Sequence, residues 1–371
     1  MRILKYTILT VLSLVAVGFM AAVIILQLPQ FGTRPQGQYL AALQQSAQHN
    51  GEVFVNEEGA TADMGGRTLL NVIKAYMNAP EGRHPDSLPI LHPDPADVAQ
   101  DSLGEYHLTW FGHSSFLLEV DNKNILLDPM LGPAAAPFSF QVRRFSQDLP
   151  ITMENLPQID AVIFSHDHYD HLDHTTILAI KDKVSHFYVP LGLKGHLVGW
   201  GVDSNAVTEL DWWEEVQMDD IRLACTPSQH FSGRGLTDRN TTLWCSWVIT
   251  TPEQNIYFSG DSGYFKGFKS IGEKYGPFDL ALIECGQYNE LWQAIHMLPE
   301  QSAQAAVDLN AKAMIPIHWG MFELALHPWK EPAERVTVKA KELGMPLLTP
   351  KIGERLAIRE ELTTDEWWNA Y

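Results

Sequence analysis

Ser165-His166-Asp167-His168-Tyr169-Asp170-His171-Leu172-Asp173 gathers three imidazoles and two carboxylates between His166 and His171, in the order His-x-His-x-Asp-His. The run just before it, Ile159-Asp160-Ala161-Val162-Ile163-Phe164, has the apolar content of a buried strand. The cluster therefore falls where a strand ends and a loop begins, the place where layered α/β proteins carry their working residues. An extended chain turns alternate side chains to one side, so His166 and His168 can grip one ion together. The turn that follows can bring Asp170 and His171 to a second. Imidazole with carboxylate suits zinc, and also iron or manganese. A chance gathering of histidines on a solvated loop is the competing reading, and the strand-then-loop context argues against it.

Further ligand candidates close three later apolar runs. His230 follows Leu223-Ala224-Cys225-Thr226-Pro227-Ser228-Gln229, Asp261 follows Ile256-Tyr257-Phe258-Ser259-Gly260, and His318 follows Ala313-Met314-Ile315-Pro316-Ile317. Gly260 and Gly320 allow sharp backbone turns beside two of them. One histidine at a strand end is usually just hydrogen-bonded. Four such strand ends in order, the first of them dense, form a pattern.

These passages resemble the metallo-β-lactamase superfamily. Within it they are similar to the group that contains N-acyl-phosphatidylethanolamine-hydrolysing phospholipase D and its bacterial relatives. The matching text is Trp110-Phe111-Gly112-His113-Ser114-Ser115, Asp128-Pro129, His166 through Asp173, and Pro227-Ser228-Gln229-His230. It continues with Leu243-Trp244-Cys245-Ser246-Trp247, Ser259-Gly260-Asp261-Ser262-Gly263-Tyr264, His296-Met297-x-Pro299-Glu300 and Ile317-His318-Trp319-Gly320. The likeness runs from about Phe54 to about Gly353. It implies an α/β fold, a four-layer αβ/βα sandwich of two similar halves that meet at a metal site.

The resemblance also implies roles. His166, His168 and His230 would hold one ion, Asp170, His171 and His318 a second, and Asp261 would bridge the two. The cofactors implied are two divalent metal ions, Zn2+ foremost, with Mn2+ or Fe2+ as alternatives. Such ions, roughly 3.5–4 Å apart in two-metal sites, share a water, lower its pKa so that hydroxide exists near neutral pH, and neutralise developing charge. Asp170, Asp261 and His296 are the expected catalytic residues, with His296 near the phosphate, a donor to a phosphoryl oxygen or to the leaving alkoxide. The pattern departs from the phospholipase at Ile295, where a polar residue is expected. Asp128 is expected to orient a ligand imidazole, with a turn-forming Asp before Pro as the alternative. His113 and His174 read as structural, and Tyr288, Arg234 and Arg239 as weaker substrate contacts, with Arg234 and Arg239 equally readable as ordinary surface charges. No Gly-x-Ser-x-Gly elbow is present, and the scheme needs no protein nucleophile.

The 371 residues are 45% hydrophobic, enough for a large core. A net charge of −19 argues against nucleic acid as a partner, because phosphate backbones need a basic footprint. Cys225, Cys245 and Cys285 are odd in number and widely spaced, which suggests small buried residues, with no disulfide framework. Ile8 to Leu26 carries no charge over 19 residues. As a helix it would span roughly 28 Å, close to a bilayer core. Arg2 and Lys5 precede it and Arg34 follows, so the positive-inside rule sets the N-terminus in the cytoplasm and the domain outside it. The expected location is the cell inner membrane, single-pass, with a periplasmic domain. A signal peptide cut near Ala16-Val17-Gly18 is the alternative, against which the apolar run is long. The mammalian phospholipase lacks such an anchor.

The organisation expected is a membrane anchor over 1–29, an N-terminal extension over 30–105, a hydrolase domain over 106–358 and a tail over 359–371. Helices are expected at Gln38–Gln48, Thr68–Met77, Pro299–Leu309 and Glu331–Leu343, and an extended wrap at Pro80–Pro95. Strands are expected at Tyr106–Trp110, Ser115–Val120 and Asn124–Leu127, with Asp121-Asn122-Lys123 as the hairpin turn. Gly132–Ser146, with Phe138 and Phe140, reads as a lid, an apolar substrate wall or a pinned surface loop. Trp367, Trp368 and Tyr371 would sit at a bilayer interface or pack on the domain. The function expected is phosphodiester hydrolysis of an N-acyl-phosphatidylethanolamine-type phospholipid. A lactonase or other ester hydrolase is the rival, and a non-catalytic metal-binding envelope protein the rival of another class.

Overall fold

The computed structural model describes residues 2–60, 68–94, 98, 106–358 and 363–371. Among the described residues, thirteen strands form two sheets. The first contains β1 (His107–Trp110), β2 (Phe116–Val120), β3 (Lys123–Leu127), β4 (Ile159–Ile163), β5 (Val184–Pro190), β6 (Val207–Leu210) and β13 (Arg355–Ala357), ordered β13-β1-β2-β3-β4-β5-β6. The second contains β7 (Glu215–Met218), β8 (Ile221–Thr226), β9 (Ser246–Thr250), β10 (Asn255–Phe258), β11 (Leu280–Glu284) and β12 (Met314–Ile317), ordered β12-β11-β10-β9-β8-β7. Each sheet has an antiparallel part and a parallel part. In the first, β3 through β6 are parallel, and in the second, β10 through β12.

The strands are apolar on both faces because each sheet is covered on both sides. Alternation then sorts their side chains. Phe116, Leu118, Ile125, Leu127 and Ile163 face a central layer shared with Leu223, Trp247, Ile249, Phe258 and Leu282 of the second sheet. Leu117, Leu126 and Val162 point the other way, onto α4 (His174–Ile180) and α5 (Lys194–Gly199) through Ile177, Ile180 and Leu197. Val248, Tyr257, Ala281 and Ile283 meet α6 (Gly267–Tyr275), α7 (Pro299–Asp308) and α8 (Glu331–Leu343). Each of the Val, Leu, Ile and Phe side chains among these contributes about 1.5–3 kcal/mol by burial. The result is the expected four-layer sandwich.

Local boundaries follow ordinary rules. Asp121 and Asn122 both have positive φ, 50° and 60°, as a two-residue hairpin requires, so Lys123 belongs to β3. Asp173 caps α4 by accepting from the Thr175 and Thr176 amides at 3.2 and 2.8 Å. Pro332 opens α8 and Gly344, at φ 66°, closes it.

The N-terminal helix α1 spans Arg2–Ile25, and its Leu4–Ile25 portion is long and apolar enough to cross a membrane, with its side chains exposed. A short turn, Pro29–Phe31, then leads to α2 (Gly37–Leu43), which is shorter than the expected Gln38–Gln48. The remainder of that stretch turns back so that His49 pairs with Phe54. Leu43 and Phe54 enter the central layer. α3 covers Thr68–Met77. The wrap from Pro80 pairs Ile90 with Ile352, and its end at Pro95 lies outside the described residues. Bilayer placement of the C-terminal aromatics is corrected: Trp367 and Trp368 are 5% and 1% exposed. They stack around Trp319, and the Trp367 indole donates to the Thr349 and Pro350 carbonyls at 3.1 Å. Cys225, Cys245 and Cys285 are free and buried.

Candidate metal centre

Six strands deliver their carboxyl ends to one edge of the sandwich, where open α/β sheets carry ligands. Asp128 follows β3, His166 through His171 follow β4, His230 follows β8, Asp261 follows β10, Glu284 closes β11, and His318 follows β12. Two bends are forced. Gly260 has φ 54°, and a Cβ there would lie 2.5 Å from the Ser165 Cβ. His318 itself is left-handed, at φ 70°.

The donors gather in two adjacent groups. His166, His168, His230 and Asp261 form one, and Asp170, His171, His318 and His113 the other, each with its ligand atoms within 4.8 Å of one another. The Asp261 carboxylate lies between them. Its Oδ1 is 3.2 Å from His171 Nε2, and its Oδ2 is 3.1 Å from His318 Nε2, 3.7 Å from His230 Nε2 and 3.8 Å from His166 Nε2. The structure thus brings together all seven ligand candidates from four separate parts of the chain.

A second layer fixes which nitrogen each ring presents. His171 Nδ1 donates to Asp128 Oδ2 at 2.6 Å. His230 Nδ1 donates to the Ile295 carbonyl at 3.0 Å, and His166 Nδ1 lies 2.9 Å from the Ser165 hydroxyl. All three rings, with His318, turn Nε2 inward, whereas His168 offers Nδ1, 2.8 Å from His166 Nε2 and 3.2 Å from His230 Nε2. Asp128 is held in turn by the Ser165 amide at 2.7 Å and hydroxyl at 2.5 Å.

Burial pushes the His166, His168 and His230 imidazoles below their ordinary range, the first and last of them well below. Burial opposes charge on His171 as well, but Asp261, Asp170 and Asp128 outweigh it and hold that ring well above the usual range. His318 is likewise raised to about 10, with burial outweighed by Asp261, Asp170 and Glu284. Burial would raise Asp170 and Asp261, yet the facing imidazoles hold both well below the carboxylate range. Among the described residues, buried His171 Nε2 and Asp261 Oδ1 face each other at 3.2 Å without a well-aligned hydrogen bond. Inward lone pairs, buried carboxylates and orphaned ligand atoms together fit divalent cations.

Two contributors escaped the sequence reading. Glu284 is fully buried, 3.1 Å from His296 Nδ1 and 3.5 Å from His318 Nδ1, and accepts from the Met297 amide at 3.0 Å. Its signal was a carboxylate closing the apolar run Leu280–Ile283, the same sign that singled out Asp261. His113, read as structural, places Nε2 2.9 Å from Asp170 Oδ2, while its carbonyl accepts from the His318 amide.

His296 faces a cavity of about 230 Å³ beside the cluster, walled by Phe231, Trp292, Ile295 and Leu324. None of the residues lining this cavity is Lys or Arg. A larger groove, about 970 Å³, runs between α3 and α8, with Lys74, His327, Glu331 and Arg335 in its lining. Other expectations change. Tyr288 spends its hydroxyl on Glu331 at 2.5 Å and stacks on His327. Arg239 covers the Phe231 ring, and His174 packs edge-on against Trp200. Arg234 is buried rather than on the surface, with its guanidinium over Tyr169. In the loop over 132–146, Phe138 packs on Phe31 and Phe140 stacks on Phe138, so the loop is pinned against the segment that follows α1.

Comparison with known proteins gives these features a lineage. Residues 123–319 match the model of a beta-lactamase superfamily domain. An uncharacterized protein of Mycobacterium tuberculosis is 37% identical over 332 residues, covering 88% of this chain and 89% of the relative. N-acyl-phosphatidylethanolamine-hydrolyzing phospholipase D 1 of Caenorhabditis elegans is 34% identical, over 74% of this chain and 82% of the relative. A metallo hydrolase from the archaeon Ignicoccus hospitalis shares the fold with a TM-score of 0.53 at 22% identity, over 68% of this chain and 97% of that one.

Proposed function

This chain belongs to the metallo-β-lactamase superfamily, and from that premise we propose that it is a hydrolase of a phosphodiester. The substrate class is a phospholipid of the N-acyl-phosphatidylethanolamine type, cleaved in the phospholipase D sense. The observation that carries the reading is the convergence of seven donors, with the Asp261 carboxylate facing His166 and His230 on one side and His171 and His318 on the other. His166, His168 and His230 would hold one ion, and Asp170, His171 and His318 the other. Two divalent ions, zinc first by donor chemistry, would activate a water for attack and offset charge on the substrate oxygens. The chain's own work is orientation. Asp128, the Ile295 carbonyl and Glu284 aim the rings, and Asp170 and Asp261 supply the negative charge that retains cations. His296, held through Nδ1 by Glu284, leaves Nε2 to donate toward a substrate oxygen or the departing alkoxide. The apolar walls exclude water and suit an acyl chain.

The substrate relation rests on the phospholipase similarity and on α1, which we read as a membrane anchor with the domain outside the cytoplasm. Arg2 and Lys5 before the apolar run support that orientation, and a reporter fused after Tyr371 that works only in the cytoplasm would overturn it. One observation favours a rival, an ester or lactone hydrolase: among the described residues, the cavity wall brings no Lys or Arg to a phosphate. The deciding experiment loads the purified full chain with Zn2+ or Mn2+ and compares N-acyl-phosphatidylethanolamine with a panel of esters and lactones. Phosphatidic acid release is expected, reduced more than about 100-fold in Asp170→Ala and His318→Ala, beyond the range typical of outer-shell changes. Turnover of esters alone would sink the phosphodiester reading. No turnover of any kind with two ions bound would favour a non-catalytic metal-binding protein.

A further inference from the structure

Arg234 is buried, and its Nη1 and Nε donate to carbonyl oxygens, while Nη2 has no hydrogen-bond partner among the described residues. Nη1 donates to the Asp167 carbonyl at 2.5 Å and to the Leu172 carbonyl at 2.7 Å. These two carbonyls bracket the loop that carries His168, Asp170 and His171. The Tyr169 ring, halfway along that loop, lies under the guanidinium at 4.0 Å, and the Tyr169 hydroxyl donates back to the Arg234 carbonyl at 2.6 Å. A planar cation with a fixed fork of donors can pin both ends of a loop at once, which a lysine's single ammonium does poorly.

The same guanidinium reaches outward. Its Nε donates to the Gln30 carbonyl at 3.0 Å, in the turn immediately after α1. That turn is attached to the site at further points. Trp200 Nε1 donates to the Pro29 carbonyl at 2.7 Å, and Phe31 packs edge-on against Tyr169. The Thr33 amide donates to His196 Nδ1 at 2.8 Å, and His196 Nε2 faces Asp167 Oδ2 at 3.4 Å. Asp167 lies between two ligand candidates and also accepts from the Gly233 amide and the Thr242 hydroxyl. Gly32 seals the contact: it has φ +79°, and a Cβ there would meet His196 Nδ1 at 2.2 Å.

We propose that Arg234 is a positioning residue for the metal-binding loop, and that through it the strap Pro29–Thr33 is a structural part of the metal centre. The strap thereby joins the N-terminal helix to the loop that holds the ligands. The inference rests on the reading of His168, Asp170 and His171 as metal ligands.

The test uses the full chain in detergent. Zn2+ affinity is measured by competition with a chromophoric chelator, folding by circular dichroism, and kcat and KM at saturating Zn2+. Arg234→Lys, Arg234→Met and Gly32→Ala are each expected to bind Zn2+ about 10–100-fold more weakly, with KM unchanged because none of them lines the cavity. Zn2+ affinity within two-fold of wild type in folded Arg234 variants would overturn the proposal. So would a raised KM at unchanged affinity, which would make Arg234 a substrate contact. If neither Arg234 variant folds, Gly32→Ala decides, since it leaves the guanidinium in place, and wild-type affinity in that variant overturns the role of the strap. A wild-type chain that binds no metal would instead sink the ligand assignment itself.

Discussion

Asp128 shows how much of the site lies one layer behind its ligands. It stands outside the seven ligand candidates, yet it sets the His171 ring and is itself set by Ser165. Asp128→Asn keeps the volume and weakens the charged acceptor, so metal affinity should fall about 10–100-fold with the fold intact, as metal titration would read. At Gly260, Ala would meet both a positive φ and the Ser165 side chain. Gly260→Ala is expected to cost about 1–3 kcal/mol in chemical denaturation. His318 makes the site pH-dependent in two opposite senses. In the metal-free protein its pKa is raised from 6.5 to about 10, so its stabilising contribution is complete below about pH 6.5 and is lost as pH rises through 10. Metal-free Tm should therefore fall between pH 7 and 10. A ligating imidazole must give up that proton, so metal affinity should rise over the same interval. Affinity that stays flat with pH would contradict the protonated state of this ring.

At the scale of elements, strands place the ligands and loops aim them. The His-x-His-x-Asp-His loop was legible because its chemistry is local: ligand spacing after an apolar strand is visible in nine consecutive residues. Glu284 carried the same strand-end sign as Asp261, but its role shows only once β12 lies beside β11 and brings His318 within reach. Arg234 was misread for the same reason. Its partners, Asp167, Leu172 and Gln30, are separated from it by 67, 62 and 204 residues. The C-terminal aromatics gave a second ambiguity, since tryptophan suits both a membrane interface and a core. Packing decided it. Trp368→Ala would open a cavity beside Trp319, and a loss of about 3–5 kcal/mol in denaturant unfolding is expected. A loss under about 1 kcal/mol would mean that the tail is not part of the core.

For the whole molecule, the centre joins the two sheets: His166 through His171 come from the first sheet, and His230, Asp261 and His318 from the second. Ions bound there would stitch the halves together, and they bind only the folded chain. A cation at about 1,000 times its Kd adds about 4 kcal/mol, so a chelator should lower Tm markedly, and re-addition of Zn2+ should restore it. A Tm indifferent to chelator would argue against ions at this junction.

The sequence by itself determined the superfamily, the layered architecture and the ligand candidates, because these are written in short-range signals: apolar runs, strand-end polar residues, and one dense loop. The expected α8, Glu331–Leu343, was correct to the residue for that reason, with its Pro near the start and Gly344 just beyond its end. Only the tertiary structure decided the distances at which the donors meet around Asp261, the burial of Trp367 and Trp368, the contacts of Glu284, and the contacts that tie the segment after α1 to the His166–His171 loop. Those depend on which strand ends become neighbours and on what a buried charge finds when it arrives, and neither is encoded within a few residues of chain.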